Sequence, residues 1–344
     1  MTHKLYKFKS EINEIKGIYQ IKIDVPFAVK YVCLYLFKIG DTNVLIDAGL
    51  NMGNWNKLLF SAFDNLNLTI YDIDYCFISH IHLDHIGLLK TLKRKNPNLK
   101  IVMNDITHQI MEWETDEANI KDMKSEAKKV ADLMIKYGIS EEQGNKIIQF
   151  FTFWPRYLRY QKPDIIVHDG DKILDDLEII WTPGHSFGHI CIFDRRNKYL
   201  FSGDHILSRI TPHIGNFVIP KSLKNEYKGH NFDNILLHYL NSLERIDKLN
   251  PKIIFPAHQE IIYNPHERIL AIKEHHKNRL ENISNLIKNN PKTPFEISKI
   301  HFGNELDEIN SYMALSEILG HLIYLEYQEK VIRHEKDGKI YFSS

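Results

Sequence analysis

The stretch Ser79-His80-Ile81-His82-Leu83-Asp84-His85-Ile86-Gly87 places three imidazoles and one carboxylate within six positions. Along an extended segment alternate side chains point the same way, so His80 and His82 reach one point together. Asp84 and His85 open the helix that follows, where the chain has turned, and face a point further on. One ion seldom takes four donors so close along the chain. The spacing therefore predicts two adjacent ions, each given two donors by this loop. An ion of the zinc type takes four or five donors, some left to water in a catalytic site, so further donors must come from elsewhere.

Three other places supply them, each at the end of a predicted strand: His185 in Thr182-Pro183-Gly184-His185, Asp204 in Ser202-Gly203-Asp204, and His258 in Pro256-Ala257-His258. A glycine or proline beside each permits a sharp exit from the strand, aiming the donor over the sheet edge. His80, His82 and His185 then hold one ion, and Asp84, His85 and His258 hold the other. Asp204, with two carboxylate oxygens, bridges them.

The rest of the chain fits a layered α/β architecture. Ile15–Val25, Tyr31–Ile39, Asn43–Asp47, Tyr75–Ser79 and Lys100–Met103 read as strands, with a helix from Asp84 to the Lys-Arg-Lys before Pro97. Residues 108–162 are rich in Glu, Lys, Asp and Met with helical periodicity. They form a helical insertion, read either as a hairpin covering a core edge or as a lid. Strands return from Asp164, followed by a helix over Asp233–Lys248. A catalytic domain over 1–264 is followed by a helical region over 265–344. In that region Pro265–Asn289 is a long helix, Thr293-Pro294-Phe295-Glu296 is a capping box opening a second, and Met313–Tyr327 is a third. A hairpin around Asp337-Gly338 completes a winged-helix outline.

HIHLDH, TPGHSFGH, FSGDH and PAH, in this order, resemble the motifs of the metallo-β-lactamase-fold superfamily over about residues 15–262. The resemblance implies an αβ/βα sandwich of four layers with a dinuclear site at one edge. It also implies that Asp47, in Ile46-Asp47-Ala48-Gly49, supports the metal-binding loops. Asp204-His205-Ile206-Leu207 with Thr211-Pro212-His213-Ile214-Gly215 and the helical tail resembles the subgroup with a C-terminal winged helix. One branch with such a tail resembles an endoribonuclease. Flavodiiron proteins share the fold but usually carry Glu where His82 stands, which argues against that branch.

Two cations sharing a water bring its pKa toward neutrality, so a metal-bridging hydroxide attacks without a serine or cysteine nucleophile. One metal polarises the carbonyl or phosphoryl oxygen, and the other holds charge on the leaving group. Asp84 is expected to act catalytically as well as to bind metal, by orienting the hydroxide. The expected reaction is hydrolysis of an ester, thioester, lactone or amide in a small molecule. The alternatives are a nuclease or phosphodiesterase acting through the winged helix, and an iron-dependent oxygenase on the same fold. Two divalent ions are expected, zinc first, with iron and manganese served by the same donors.

Charge separates small-molecule from nucleic-acid chemistry. Lys and Arg number 44 against 44 Asp and Glu, so nothing in the whole chain calls for a polyanion. Residues 291–344 carry six Lys and Arg against nine Asp and Glu, a net of minus three, and Met313–Tyr327 has Glu317 and Glu326 but no cation. A DNA reader needs cations facing phosphate, so the tail is read as a packing, pocket-wall or homodimer element.

Among other residues, His189 is a supporting residue for the ligand loop or a strand-start histidine bonded to backbone. His205 points away from Asp204 along an extended chain and is expected as a pocket wall, and His213 as a substrate contact or a plain loop residue. Tyr157 and Tyr160, with Arg156 and Arg159, either clamp a substrate from the insertion or, the favoured reading, pack within it. The three cysteines, Cys33, Cys76 and Cys191, lack a CxxC spacing and read as buried hydrophobes. The N-terminal segment lacks an apolar signal core and no apolar run is long enough to span a bilayer. A soluble cytoplasmic protein is expected.

Overall fold

The β-branched and aromatic runs pair into two sheets in the computed structural model, which describes residues 7–153, 160–215, 221–227, 229–230 and 232–344. In the first sheet β1 (Ser10–Ile15), β2 (Ile18–Asp24), β3 (Tyr31–Ile39), β4 (Thr42–Ile46), β5 (Tyr75–Ile78), β6 (Lys100–Asn104) and β7 (Ile165–Val167) lie in sequence order. Tight turns make β1 to β4 antiparallel. Helical crossovers make β4 to β7 parallel, as such connections require. The second sheet runs β12-β11-β10-β9-β8, from β8 (Lys172–Ile173), β9 (Leu177–Trp181), β10 (Ile190–Asp194), β11 (Tyr199–Gly203) and β12 (Ile253–Pro256).

The helices are α1 (Trp55–Asn65), α2 (Leu83–Ile86), α3 (Leu89–Lys95), α4 (Asp105–Thr115), α5 (Ile120–Lys136), α6 (Glu141–Phe153), α7 (Lys221–Glu226), α8 (Ile235–Leu249), α9 (Pro265–Ile287), α10 (Pro294–Phe302) and α11 (Glu308–Tyr327). Strand β3 shows why layers form. Cys33, Tyr35 and Phe37 face the second sheet, while Val32, Leu34 and Leu36 face Trp55, Leu59 and Phe63 of α1. A strand buried on both faces reads as a continuous apolar run. Between the sheets Phe37 stacks on Phe201, with ring centroids 4.8 Å apart. On the far side Ile180, Cys191 and Ile254 meet Leu236, Tyr239 and Leu243 of α8. The result is the αβ/βα sandwich expected from the sequence.

Three expectations need correction. The run Ile15–Val25, read as one strand, holds the Lys16-Gly17 turn between β1 and β2, where both residues take positive φ. The helix expected from Asp84 is broken into α2 and α3 at Gly87-Leu88. At Gly87 a side chain would force the backbone to move, because a Cβ would lie 2.5 Å from Asn51 N and 2.6 Å from Leu83 O. The third tail helix, expected from Met313, begins at Glu308, where the side chain of Asp307 caps the helix by accepting from Asn310 N–H.

The insertion contributes more than a surface hairpin. Ala131 and Met134 of α5 and Ile147 of α6 share a core with Leu315, Ile318 and Leu319 of α11 and Phe342 of β14 (Lys339–Ser343), the strand paired with β13 (Ile332–Lys336). Helix α9 sends Ile269 and Ile272 into the core of the sandwich and Ile283 and Ile287 into this second core. Each buried aliphatic side chain contributes about 1.5–3 kcal/mol, so one rigid rod joins both parts. The Thr293/Glu296 capping box forms, and Asp337-Gly338 turns the final hairpin with positive φ at both residues. Cys33, Cys76 and Cys191 are buried free thiols. No helix among the described residues is long and apolar enough to cross a membrane.

Candidate metal centre

Strands β9, β11 and β12 run in one direction, because β10 is antiparallel to both β9 and β11. Their carboxyl ends share an edge with the ends of β4 and β5, where open α/β sheets place ligands. After β5 the chain bends at Ile81 and is extended again at His82, which precedes α2. Ile190 N–H holds the Ser79 carbonyl at 2.9 Å. After β11, Gly203 takes φ +49° with His189 Nε2 and Ser79 packed where a Cβ would be, so only glycine allows the turn that presents Asp204. After β12, Cys33 N–H and Tyr35 Oη donate to the Ala257 and Pro256 carbonyls at 2.7 and 2.6 Å and pin the His258 loop to β3.

The seven expected donors converge as two sets. In the first, His82 Nδ1 lies 3.0 Å from His80 Nε2 and 2.9 Å from His185 Nε2, and Asp204 Oδ2 lies 3.3 Å from His185 Nε2. In the second, His258 Nε2 lies 3.4 Å from Asp84 Oδ2 and 3.3 Å from Asp204 Oδ1, with His85 Nε2 3.7 Å from the same Asp204 oxygen. The Asp204 carboxylate thus gives one oxygen to each set. Within each of the groups His80/His82/His185/Asp204 and Asp84/His85/His258 the donor atoms lie within 4.8 Å of one another.

The ring nitrogens turned away from the centre show how each imidazole is oriented. His85 Nδ1–H donates to Asp47 Oδ2 at 2.8 Å, His258 Nδ1–H to the Tyr31 carbonyl at 2.6 Å, and His185 Nδ1–H to the His213 carbonyl at 3.0 Å. Ser79 Oγ donates to Asp47 Oδ2 at 2.9 Å and so accepts from His80 Nδ1 at 3.0 Å. In its neutral form each of these four rings carries its lone pair at Nε2, aimed inward. Asp47 sits at φ +64° and also accepts from Ser79 N–H at 2.8 Å, so a single buried carboxylate braces both sets.

This arrangement fits cations. Two Nε2 lone pairs, from His80 and His185, face His82 Nδ1, which can share at most one proton with them. His85 Nε2 and Asp204 Oδ1 are buried without any hydrogen-bond partner among the described residues. Such groups cost free energy unless something satisfies them, and a positive ion between them does so. The electrostatics agree. Burial, then His85 and His82, push the His80 imidazole well below its usual range. Burial depresses His85 too, but the carboxylates of Asp47, Asp84 and Asp204 outweigh it and raise this ring to about 10. Burial opposes ionisation of Asp204, yet His258 and His85 hold its carboxyl well below the ordinary value.

The supporting residues divide. His189 is fully buried; its Nε2 accepts from Asp204 N–H at 3.2 Å and its Nδ1 lies 2.8 Å from Thr182 Oγ1, so it steadies the turn carrying Asp204. His205, expected as a pocket wall, is instead 0% exposed and packs edge-on against Tyr239 at 4.7 Å. The cause is the left-handed Gly203 turn, which replaces the extended chain assumed for it. His213 Nε2 is engaged by Ser316 and Met313 of α11, and its carbonyl supports His185. Tyr160 packs on the sandwich core and bonds His108. Tyr157, with Arg156 and Arg159, lies outside the described residues. Ser79, Tyr31 and Glu317 were not identified in the sequence as supports. Ser79 sits inside the motif itself, Tyr31 acts through its backbone carbonyl, and the Glu317 carboxylate acts on the Ile214 N–H.

Comparison with known proteins places this geometry. The family described as the Metallo-beta-lactamase superfamily matches residues 31–258, and the one described as Metallo-beta-lactamase-like, C-terminal domain, matches residues 280–344. The chain is 26% identical over 337 residues to a Bacillus subtilis protein named "Probable metallo-hydrolase YqjP", covering 96% of this chain and 98% of that one. The Sulfurisphaera tokodaii "Metallo-beta-lactamase fold-containing protein ST1585" is 26% identical over 226 residues, covering 64% of this chain and 69% of that protein. Among solved structures, the metallo-β-lactamase family protein TTHA1429 from Thermus thermophilus superposes with a TM-score of 0.72 at 24% identity, covering 96% of this chain and 99% of that one. A β-lactamase domain protein from Burkholderia ambifaria gives 0.76 at 23%, covering 97% and 94%. With the superfamily match spanning most of the chain, and the donor clusters lying at the sheet edge where its motifs fall, this protein belongs to the metallo-β-lactamase superfamily of metal-dependent hydrolases.

Proposed function

We propose that the chain binds two divalent ions and hydrolyses an ester, thioester, lactone or amide in a small molecule. One observation carries this reading: the Asp204 carboxylate divides its oxygens between two donor sets. His80, His82 and His185 would hold one ion, Asp84, His85 and His258 the other, and Asp204 both. When bound, such a pair acidifies water and polarises the oxygen of the scissile group. Five imidazoles and two carboxylates without a thiolate suit zinc, and also iron or manganese.

The chain's own residues do the rest. Asp84 keeps its side chain 11% exposed, the most open carboxylate of the centre, and can take a proton from an attacking water at Oδ1 or Oδ2. Asp47 and Ser79 fix which nitrogen each neighbouring imidazole presents. The buried loops fix the positions of the donors before substrate arrives, so little reorganisation is needed on reaction.

The tail has the order of a winged helix, yet α11, the helix such a module would lay in a DNA groove, is buried from Ala314 to Leu322. With the acidic balance of residues 291–344, this supports a packing role and a small-molecule substrate. The test pairs metal analysis with a screen of lactones, thioesters, esters, β-lactams and phosphodiesters, run on metal-loaded and chelator-treated protein. Metal-dependent turnover of an acyl substrate supports the proposal. Turnover of phosphodiesters alone, together with DNA or RNA binding that weakens steeply with salt, would replace it with the nuclease reading.

A further inference from the structure

Outside the metal centre, a set of buried polar side chains lies where α9 and α11 meet the loop after β11. Ser316, Glu317 and His321 of α11 are 0%, 4% and 0% exposed, and His276 of α9 is 0%. Glu317 Oε2 accepts from Ile214 N–H at 2.8 Å, and its Oε1 pairs with Arg279 of α9 at 2.5 Å. His213 Nε2 lies 2.7 Å from Ser316 Oγ and 3.1 Å from the Met313 carbonyl. A carbonyl only accepts, so this nitrogen carries the proton. The carbonyl of the same His213 takes the Nδ1–H of His185 at 3.0 Å.

The His213–Ile214 main chain is therefore clamped by α11 on one side and orients a predicted metal ligand on the other. We propose that Ser316 and Glu317 are positioning residues for His185, so that the C-terminal helices set how tightly the His80/His82/His185 site holds its ion. The proposal rests on the two-ion reading above. It gives the tail a chemical role in the reaction without contact with substrate.

The donors of His276, Glu317 and His321 also lie within 4.8 Å of one another. Their bonding identifies a brace rather than a third metal site. Both Glu317 oxygens are engaged, one by a guanidinium that would repel a cation. His321 Nδ1 donates to the Glu317 carbonyl at 2.7 Å, and His276 Nδ1 lies 3.0 Å from His321 Nε2. The two rings hold the turn of α11 that carries Glu317.

The test titrates metal-free full-length protein with Zn²⁺ against a chromophoric chelator and records the Co²⁺ spectrum. Wild type is compared with Ser316→Ala, Glu317→Gln, Glu317→Leu and a control, Leu322→Ala, buried in the C-terminal core. Glu317→Leu is expected to weaken one of two ions by about 10–100-fold, shift its Co²⁺ bands and leave the second ion unchanged. Ser316→Ala is expected to weaken the same ion less. Glu317→Gln, which keeps an acceptor for Ile214 N–H, should retain most of the affinity, whereas Leu322→Ala lowers Tm without touching either affinity. If Glu317→Leu fails to fold, Arg279→Leu/Glu317→Leu removes both charges and is titrated in its place. Folded variants that bind both ions as wild type does, or lose both in step with Tm, overturn the proposal. Fewer than two ions on wild type overturns the reading beneath it instead. A third ion, lost in His276→Ala, overturns the bracing role.

Discussion

Asp47→Asn isolates the support of the centre from its donors. Asp47 accepts from Ser79 N–H at 2.8 Å, Ser79 Oγ at 2.9 Å and His85 Nδ1 at 2.8 Å. Asparagine tolerates the φ of +64° found here better than alanine does, so backbone strain is not the variable. Its amide oxygen can still take Ser79 N–H, but its NH₂ group then faces His85. To accept from that NH₂, His85 must give up the proton at Nδ1 and carry it at Nε2, the nitrogen that would bind metal. Either the ring keeps its useful tautomer and two donors collide, at a cost of about 1–3 kcal/mol, or the ligand is lost. The expected loss of affinity at the second set is about 10–100-fold, or about 1.4–2.7 kcal/mol, and the first set weakens too, because Ser79 Oγ loses the same acceptor and turns its proton toward His80 Nδ1. Chelator-competition titration reads the affinities, and circular dichroism with a melting curve checks folding. A folded variant that binds both ions as tightly as wild type would refute the tautomer argument.

His82→Ala removes one of three imidazoles in the first set. It should reduce bound metal from two ions to one per chain by elemental analysis, and lower turnover by at least about 100-fold. Full turnover would remove His82 from the centre. Metal uptake at pH 7 should release protons, because the His85 ring, raised to about 10 in the metal-free protein, must give up a proton to bind. Affinity then rises with pH up to that value; binding heats independent of buffer would contradict this. Gly87→Ala should lower Tm by roughly 2–6 °C, since the new methyl group meets backbone atoms of Asn51, Leu83 and Gly49 at 2.5, 2.6 and 2.8 Å, none of which can swing aside. An unchanged melting curve would show that the loop has slack.

The donors were legible because they obey local rules. His80 and His82 lie two apart on the loop that leaves β5, and His185, Asp204 and His258 each follow a strand and a turn residue. The layers were legible from apolar runs such as β3. What escaped the sequence depends on residues far apart in the chain. Position 87 requires glycine because Gly49 and Asn51 crowd it. His205 was misplaced because a left-handed glycine interrupts the alternation on which its placement rested. Ser316 and Glu317 sit on a helix whose pattern announces burial, and nothing local says that their polar atoms reach His213 and Ile214, 103 positions away. The union of α5 and α6 with the C-terminal core is equally non-local, since amphipathic helices carry no address for their partner.

The most direct test is an anomalous-scattering map from crystals of zinc-loaded protein. Two peaks about 3.5–4 Å apart are expected, one beside His80, His82 and His185, the other beside Asp84, His85 and His258, with the Asp204 carboxylate between them. A single peak in fully loaded crystals, or density that leaves Asp204 without metal on either oxygen, would contradict a centre built on a shared carboxylate.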